Sequence, residues 1–279
     1  NIIELGPGDG SFAKIFLKIS RRFPEFNASK KIYLFETSVF LKKIQKEKIK
    51  DKQVKWIKNL KSIKNGPVIF FGNEFFDAIP IKQFKREEKI LYEKFYFLQK
   101  NYKIKELFKK ASKKDIQNIN SYNSLNELKF IEFPKTGFIE LKKMIRKISN
   151  LRGCILLIDY GYLKSKNQNT LQSVFKHKKN SVLRNLGKAD ITSHINFNLL
   201  DEFFLKNGLK IKKTVTQREF LQSLGINKRA EIISKKMKFS DQANLYLRLK
   251  RLLSPLYMGN LFKVKLAYKF VSNKFFGFE

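Results

Sequence analysis

Most of what this chain can fold into is decided by one short turn, Gly6-Pro7-Gly8-Asp9-Gly10, set directly after the apolar run Ile2 to Leu5. An apolar run of that length reads as a buried parallel strand, and the residues from about Phe12 to Arg22 read as a helix. Glycine lets a turn of this kind adopt left-handed backbone and lets a ligand approach the chain closely. The helix start adds free N–H groups and the positive end of a dipole, which suit a carboxylate. A dinucleotide fingerprint would put its third glycine at Ser11 rather than Gly10. The spacing therefore favours S-adenosylmethionine, whose methionine part carries a carboxylate, over NAD. Glu4, Gly6, Gly8 and Gly10 form the expected donor-binding set.

The alternation continues. Lys31 to Glu36, Val54 to Ile57 and Val68 to Gly72 read as further strands, with a helix from Ser38 to about Lys48. Gly153 to Asp159 is a fifth strand after a helix over Gly137–Asn150, whose Phe138, Leu141, Ile145 and Ile148 share a face. Strand–helix repetition of this sort predicts an α/β class, a Rossmann-like doubly wound and mostly parallel sheet. Ile81 to Phe97 reads as an inserted hairpin. Lys100 to Lys135 is rich in Asn and Lys and reads as irregular chain with one short helix. Toward the C-terminus we expect a helix over Asn198–Lys206, strands over Lys210–Thr216 and Phe262–Phe270, and helices near 218–224, 229–238 and 241–253. With no internal repeat and no linker, the expectation is one domain over 1–279 with insertions at about 81–135 and 217–254.

Glu36 ends the second strand, where an acid can accept both hydroxyls of an adenosine ribose; an acid in a helix-start turn is the other reading. The loop Asn73-Glu74-Phe75-Phe76-Asp77 follows the fourth strand, at the strand end that lines the ligand crevice in open parallel sheets. Glu74 and Asp77 can grip a guanidinium by charge-assisted hydrogen bonds, with Asn73 beside them. Phe75 and Phe76 would line that pocket. A capped helix start with packed phenylalanines reads equally well. Asp159 and Tyr160 sit at another strand end. His177 and His194 flank Asp190, an arrangement open to a substrate clamp, a proton relay or plain loop structure. The only cysteine, Cys154, lies in an apolar run and is expected in the core; one cysteine and two histidines argue against a metal site.

Taken together, ELGPGDG, FETS and NEFFDAIPI resemble the MidA family of methyltransferases. LLIDYGY (156–162), TLQSVFKH (170–177), ADITSHINF (189–197), TQREFLQSLGI (216–226) and MGNLFKV (258–264) continue the likeness in the family's order. The resemblance implies a class I methyltransferase fold, with Gly6, Gly8 and Gly10 around the methionine part of S-adenosylmethionine and Glu36 on its ribose. It implies that Asn73, Glu74 and Asp77 face the substrate. It also implies N-methylation of an arginine on a protein partner, a respiratory complex I subunit in the mitochondrial relatives. The chain departs from the family at Asp9, usually basic, at Asn196, usually Asp, and at Leu186, usually Pro. The family's segment ahead of the glycine turn is not in this sequence, which begins at Asn1 rather than Met and is expected to be preceded by further chain.

The net charge of +35 would favour an anionic partner such as nucleic acid. Its lysines are spread along the chain, alongside much Asn, Ile and Phe, which points to AT-rich codon bias instead. That bias fits a bacterial cytoplasm, with mitochondria as the alternative. No apolar run approaches the roughly 18–20 residues needed to span a bilayer. The competing functions are a methyltransferase for RNA or another anionic substrate, and a donor-binding assembly factor without catalysis.

Overall fold

The computed structural model describes residues 1–269 and 274–278. In chain order the elements are β1 (Ile2–Leu5), α1 (Ser11–Ser20), α2 (Pro24–Ser29), β2 (Ile32–Phe35), α3 (Val39–Ile49), β3 (Val54–Ile57), β4 (Val68–Asn73), β5 (Lys82–Glu87), β6 (Ile90–Leu98), β7 (Ile104–Lys110), α4 (Lys113–Asn120), β8 (Phe130–Phe133) and α5 (Lys135–Leu151). There follow β9 (Gly153–Tyr162), β10 (Gln172–Phe175), β11 (Lys178–Asn180), β12 (Asp190–Thr192), β13 (Ile195–Asn196), α6 (Phe197–Lys206), β14 (Lys210–Ile211), β15 (Val215–Thr216), α7 (Gln217–Ser223), α8 (Ile226–Ser234), α9 (Phe239–Leu253), α10 (Met258–Leu261) and β16 (Phe262–Lys269). The chain divides into two compact units, one of residues 1–75, 143–159 and 209–279, the other of 76–142 and 160–208.

The first unit holds the main sheet, in the order β14-β16-β9-β4-β1-β2-β3. The pairs β9–β4, β4–β1, β1–β2 and β2–β3 are all parallel. Their continuous apolar sequences follow from burial on both faces: Ile3, Leu5, Leu34, Val68, Phe70 and Ile155 are fully buried. α1 lays Ala13 and Leu17 against Ile32, Leu34, Ile49 and Val54, with Phe16 and Trp56 at the margin. Strand order turns back at β1: the chain builds outward through β2 and β3 on one side and then returns to place β4 on the other. That is the switch point at which open α/β sheets bind ligands.

Three expectations for this unit need correction. The strand expected over Lys210–Thr216 is two short strands, β14 and β15, both antiparallel to β16. α2 was not anticipated, although Pro24 at its first turn is a start signal. Cys154 is half-buried on β9 rather than in the core, and burial pushes its thiol up to about 11. The strand expected to end at Phe270 ends its described part at Lys269; Phe270 lies outside the described residues.

The second unit is built on the antiparallel sheet β7-β6-β5-β8. Here the polar stretch expected to be irregular with one short helix has that helix, α4, and two strands besides, β7 and β8. Asp115 holds it: 1% exposed, it pairs with Lys82 at 3.1 Å and Lys135 at 2.6 Å. Two buried-end ion pairs on one carboxylate satisfy a charge that could not stay buried alone. The aromatic centre is Phe138, stacked on Phe203 at 4.0 Å and meeting Phe133 at 5.5 Å and Tyr122 at 5.7 Å. A small sheet, β11-β10-β12, lies in the segment between β9 and α6, and β13 runs parallel to the end of β9.

Candidate donor and acceptor site

The glycine turn leaves β1 with Gly6, Gly8 and Gly10 all at positive φ, +59°, +54° and +79°. The three glycines do different things. A methyl group on Gly10 would meet Ile49 of α3 at 3.0 Å, so this glycine serves packing. One on Gly6 would meet the Phe75 ring at 3.1 Å. A methyl group on Gly8 would meet nothing within 4 Å beyond its chain neighbours, so the turn opens onto free space there. Asp9 donates nothing to that space. Its carboxylate accepts the Ser11 N–H at 2.9 Å and the Lys48 ammonium at 2.5 Å, which hold it near 2, well below the usual carboxylate range. One of the N–H groups expected for a ligand carboxylate is thus already taken.

Glu4 sits at 7% exposure on β1, with Oε2 buried and unpartnered. Burial, and then the neighbouring Asp9 charge, push its carboxyl up to about 8. A buried carboxyl without a partner is a costly feature that a cationic ligand group would relieve. Glu36 is equally buried. Its Oε1 accepts the Ser38 N–H at 2.8 Å and its Oε2 accepts the Gln45 amide at 3.1 Å, which leaves lone pairs for ligand hydroxyls. Ser38 Oγ, not Glu36, caps α3. Gln45 was not singled out in the sequence. It is fully buried and also donates to the Gly8 carbonyl at 2.7 Å.

Beside β1, the paired register Leu5↔Gly72 brings the end of β4 level with the start of the glycine turn. Asn73 and Glu74 leave the sheet there, both exposed. Glu74 is held at φ +49°, its N–H bonded to the Ile158 carbonyl at 2.9 Å, with the Asn73 amide 3.4 Å from its carboxylate. Left-handed backbone at a non-glycine residue is a strained feature that clusters at functional sites. Phe75 is half-buried under Gly6. Asp159 closes this unit's part of β9, 1% exposed.

In the second unit Asp77 and Tyr160 come together across 83 residues of chain: the Tyr160 hydroxyl donates to Asp77 Oδ2. Burial raises the Asp77 carboxyl above its ordinary range, against the opposing pull of that hydrogen bond. The His194 ring meets Tyr160 edge-on at 5.4 Å, and burial lowers its pKa. The His194 N–H donates to Thr170 Oγ1 at 2.9 Å, and Thr170 donates to the buried Glu132. A cleft lined by Phe76, Ile81, Glu132, Phe138, His194 and Asn196 opens beside this group. Phe76 itself is 4% exposed and packs on Phe138, so it is chiefly a core residue. His177 and Asp190 are not with His194. His177 stands exposed on the tight turn between β10 and β11, and Asp190 is exposed on β12. Among the described residues no three His, Cys, Asp or Glu side chains are grouped to hold a metal ion.

A family profile described as "Putative S-adenosyl-L-methionine-dependent methyltransferase" matches residues 1–215. The chain belongs to this methyltransferase family. The chain is 28% identical over 260 residues to a Caenorhabditis elegans protein named "Protein arginine methyltransferase NDUFAF7 homolog, mitochondrial", covering 82% of this chain and 58% of that one. It is 24% identical over 287 residues to the Danio rerio protein arginine methyltransferase NDUFAF7, mitochondrial, covering 94% of this chain and 67% of that one. The chain thus spans roughly three-fifths to two-thirds of these relatives' lengths. A crystal structure of a Burkholderia thailandensis protein bound to S-adenosyl-homocysteine superposes with a TM-score of 0.80 at 19% identity, covering 100% of this chain and 72% of that one. The likeness confirms the class I methyltransferase fold with its mainly parallel sheet. The residues at the glycine turn suit S-adenosylmethionine: an open position at Gly8, an unpartnered buried acid at Glu4, and a buried acid with spare lone pairs at Glu36. No helix among the described residues is long and apolar enough to cross a membrane.

Proposed function

We propose that this protein transfers a methyl group from S-adenosylmethionine to a nitrogen of a protein arginine, with Glu74 as the residue that receives the guanidinium. The observation that carries this reading is the placement of Glu74: an exposed carboxylate in strained backbone, just past the end of β4, the strand paired with β1 before the glycine turn. The bound donor supplies an electrophilic methyl carbon on a sulfonium leaving group. Glu4 would hold the donor's ammonium, Glu36 its ribose, and the open backbone at Gly8 its methionine part.

A guanidinium holds its proton to above pH 12 or so, so it must lose one as it is alkylated. Glu74 can grip the group through charge-assisted hydrogen bonds, and the Asn73 amide steadies the carboxylate. As the new N–C bond forms and the methyl–sulfur bond breaks, positive charge builds on the guanidine, and Glu74 is placed to accept the proton it sheds. Holding one nitrogen in line with the methyl carbon is mainly positioning. Within the second unit, Asp77, Tyr160 and His194 form a polar group of their own. The relatives named protein arginine methyltransferases support arginine as the acceptor. The sequence resemblance supports a respiratory complex I subunit as the partner. The codon bias supports a bacterial cytoplasm as the setting, whereas the named relatives are mitochondrial.

Radiolabel from the donor should enter protein in a lysate and be recovered as methylarginine after hydrolysis. Label confined to RNA would replace this reading with the one motivated by the +35 charge. Glu74→Gln should lower transfer about 100-fold, the scale of losing a positioned acid–base group, while S-adenosyl-homocysteine affinity stays within about threefold. Transfer at the wild-type rate would remove Glu74 from the mechanism.

A further inference from the structure

A completely buried glutamine carries three hydrogen bonds at the donor site, and its environment fixes what each end does. Gln45 Nε2 donates to the Gly8 carbonyl at 2.7 Å and to Glu36 Oε2 at 3.1 Å, while its Oε1 accepts the Trp56 indole N–H at 3.0 Å. The amide cannot be turned over. A carbonyl and a carboxylate accept only, and an indole N–H donates only, so the nitrogen must face the first two and the oxygen the third. Gln45 is 0% exposed, so no water replaces any of these partners.

The two acceptors belong to the two elements that the proposed function assigns to opposite halves of the donor. Gly8 is the open position of the turn and Glu36 is the ribose acid, on segments that follow the paired strands β1 and β2. Gln45 ties them directly. It can do so because 41, 45 and 49 share one face of α3, and Ile49 on the next turn packs on Gly10. Trp56 on β3 holds the amide from behind and takes up its remaining acceptor. We propose that Gln45 is a positioning residue for the methyl donor, setting the distance and orientation between the glycine turn and Glu36. This inference rests on the donor site proposed above.

The test is calorimetric binding of S-adenosyl-homocysteine to the full-length protein. Gln45→Leu leaves the Gly8 carbonyl, a buried carboxylate oxygen and an indole N–H without this partner, and should weaken binding about 30-fold. Trp56→Phe removes only the rear hydrogen bond and should cost about threefold. The decisive arm is Gln45→Glu. Its introduced carboxylate cannot donate to Glu36 when ionised, but can when the pair takes up one proton. The charged groups around that pair are Glu36 from the end of β2, Glu4 from β1, and Asp9 with Lys48 at the glycine turn. Taking affinity as a ratio to wild type at each pH removes the titration that Glu4 contributes to both. That ratio should improve about tenfold from pH 8 to pH 5.5 as donation is restored. A merely structural role for Gln45 would leave the ratio flat, and a flat ratio overturns the proposal even if Gln45→Leu does not fold. A wild-type protein that fails to bind, or a Gly8→Val protein that binds normally, would instead overturn the donor site itself.

Discussion

Gly8→Val should abolish measurable S-adenosyl-homocysteine binding, a loss of more than about 100-fold, while the protein stays folded. Two features of Gly8 set this apart from an ordinary glycine substitution. Its φ is +54°, where a β-branched residue costs on the order of 1–2 kcal/mol. Yet beyond its two chain neighbours no protein atom lies within 4 Å of the position its Cβ would take. The penalty to the fold is therefore backbone strain alone, and the isopropyl group projects into the space the ligand needs. Gly10→Val is the contrasting case. There the new atoms meet Ile49 and Gln45 on α3 at 3.0–3.4 Å, so the loss falls on stability first. Thermal melts alongside calorimetry separate the two: a small shift in Tm with lost binding for Gly8, a large shift for Gly10. Wild-type affinity in Gly8→Val would end the assignment of this turn to the donor.

The difference between the three glycines could not be read from the sequence, because it depends on what α3 and Phe75 place against the turn. What could be read is whatever burial on both faces of a parallel strand writes as continuous apolar sequence. β1, β3, β4 and β9 stand within a few residues of their expected places, as does the face of α5, where Phe138, Leu141, Ile145 and Ile148 are all buried. β7 and β8 were illegible for the opposite reason, though the one short helix expected between them is α4. Their order depends on ion pairs such as Lys135 with Asp115, which look like surface charge until the fold brings them together. The same holds for the candidate site. Glu4 lies on a strand, Glu36 and Glu74 follow directly on strands, and all three could be found locally, whereas Asp77 gains its partner Tyr160 from 83 residues away. Gln45 did leave a trace: a polar residue on the inward stripe of an otherwise Lys-rich helix, one turn before Ile49. Helical periodicity marks such a position as buried, and a buried amide must have partners.

Glu4 should make both stability and ligand binding depend on pH near neutrality. Its carboxyl stands near 8 in the folded protein against an ordinary value of 4.5. With the folded value the higher, the folded state binds the proton more tightly. Its favourable contribution is complete below pH 4.5 and drains away as pH rises through 8. Glu4→Gln, which keeps the shape without the charge, should therefore match wild type at pH 4 and exceed it increasingly toward pH 9, by about 5 kcal/mol at most. Denaturant titrations at the two ends of that range measure it, and parallel profiles would mean that Glu4 is not destabilised by burial. The same protonated carboxyl predicts a signature on binding. An ammonium group lodged beside Glu4 favours the ionised form, so the carboxyl must give up its proton as the ligand enters. At pH 7 the wild-type protein should release close to one proton per S-adenosyl-homocysteine bound, seen as a binding enthalpy that varies with the ionisation enthalpy of the buffer. Glu4→Gln should bind at least about tenfold more weakly and release none. Full proton release in that variant would move the titrating group elsewhere and leave the unpartnered oxygen of Glu4 without a role in holding the donor.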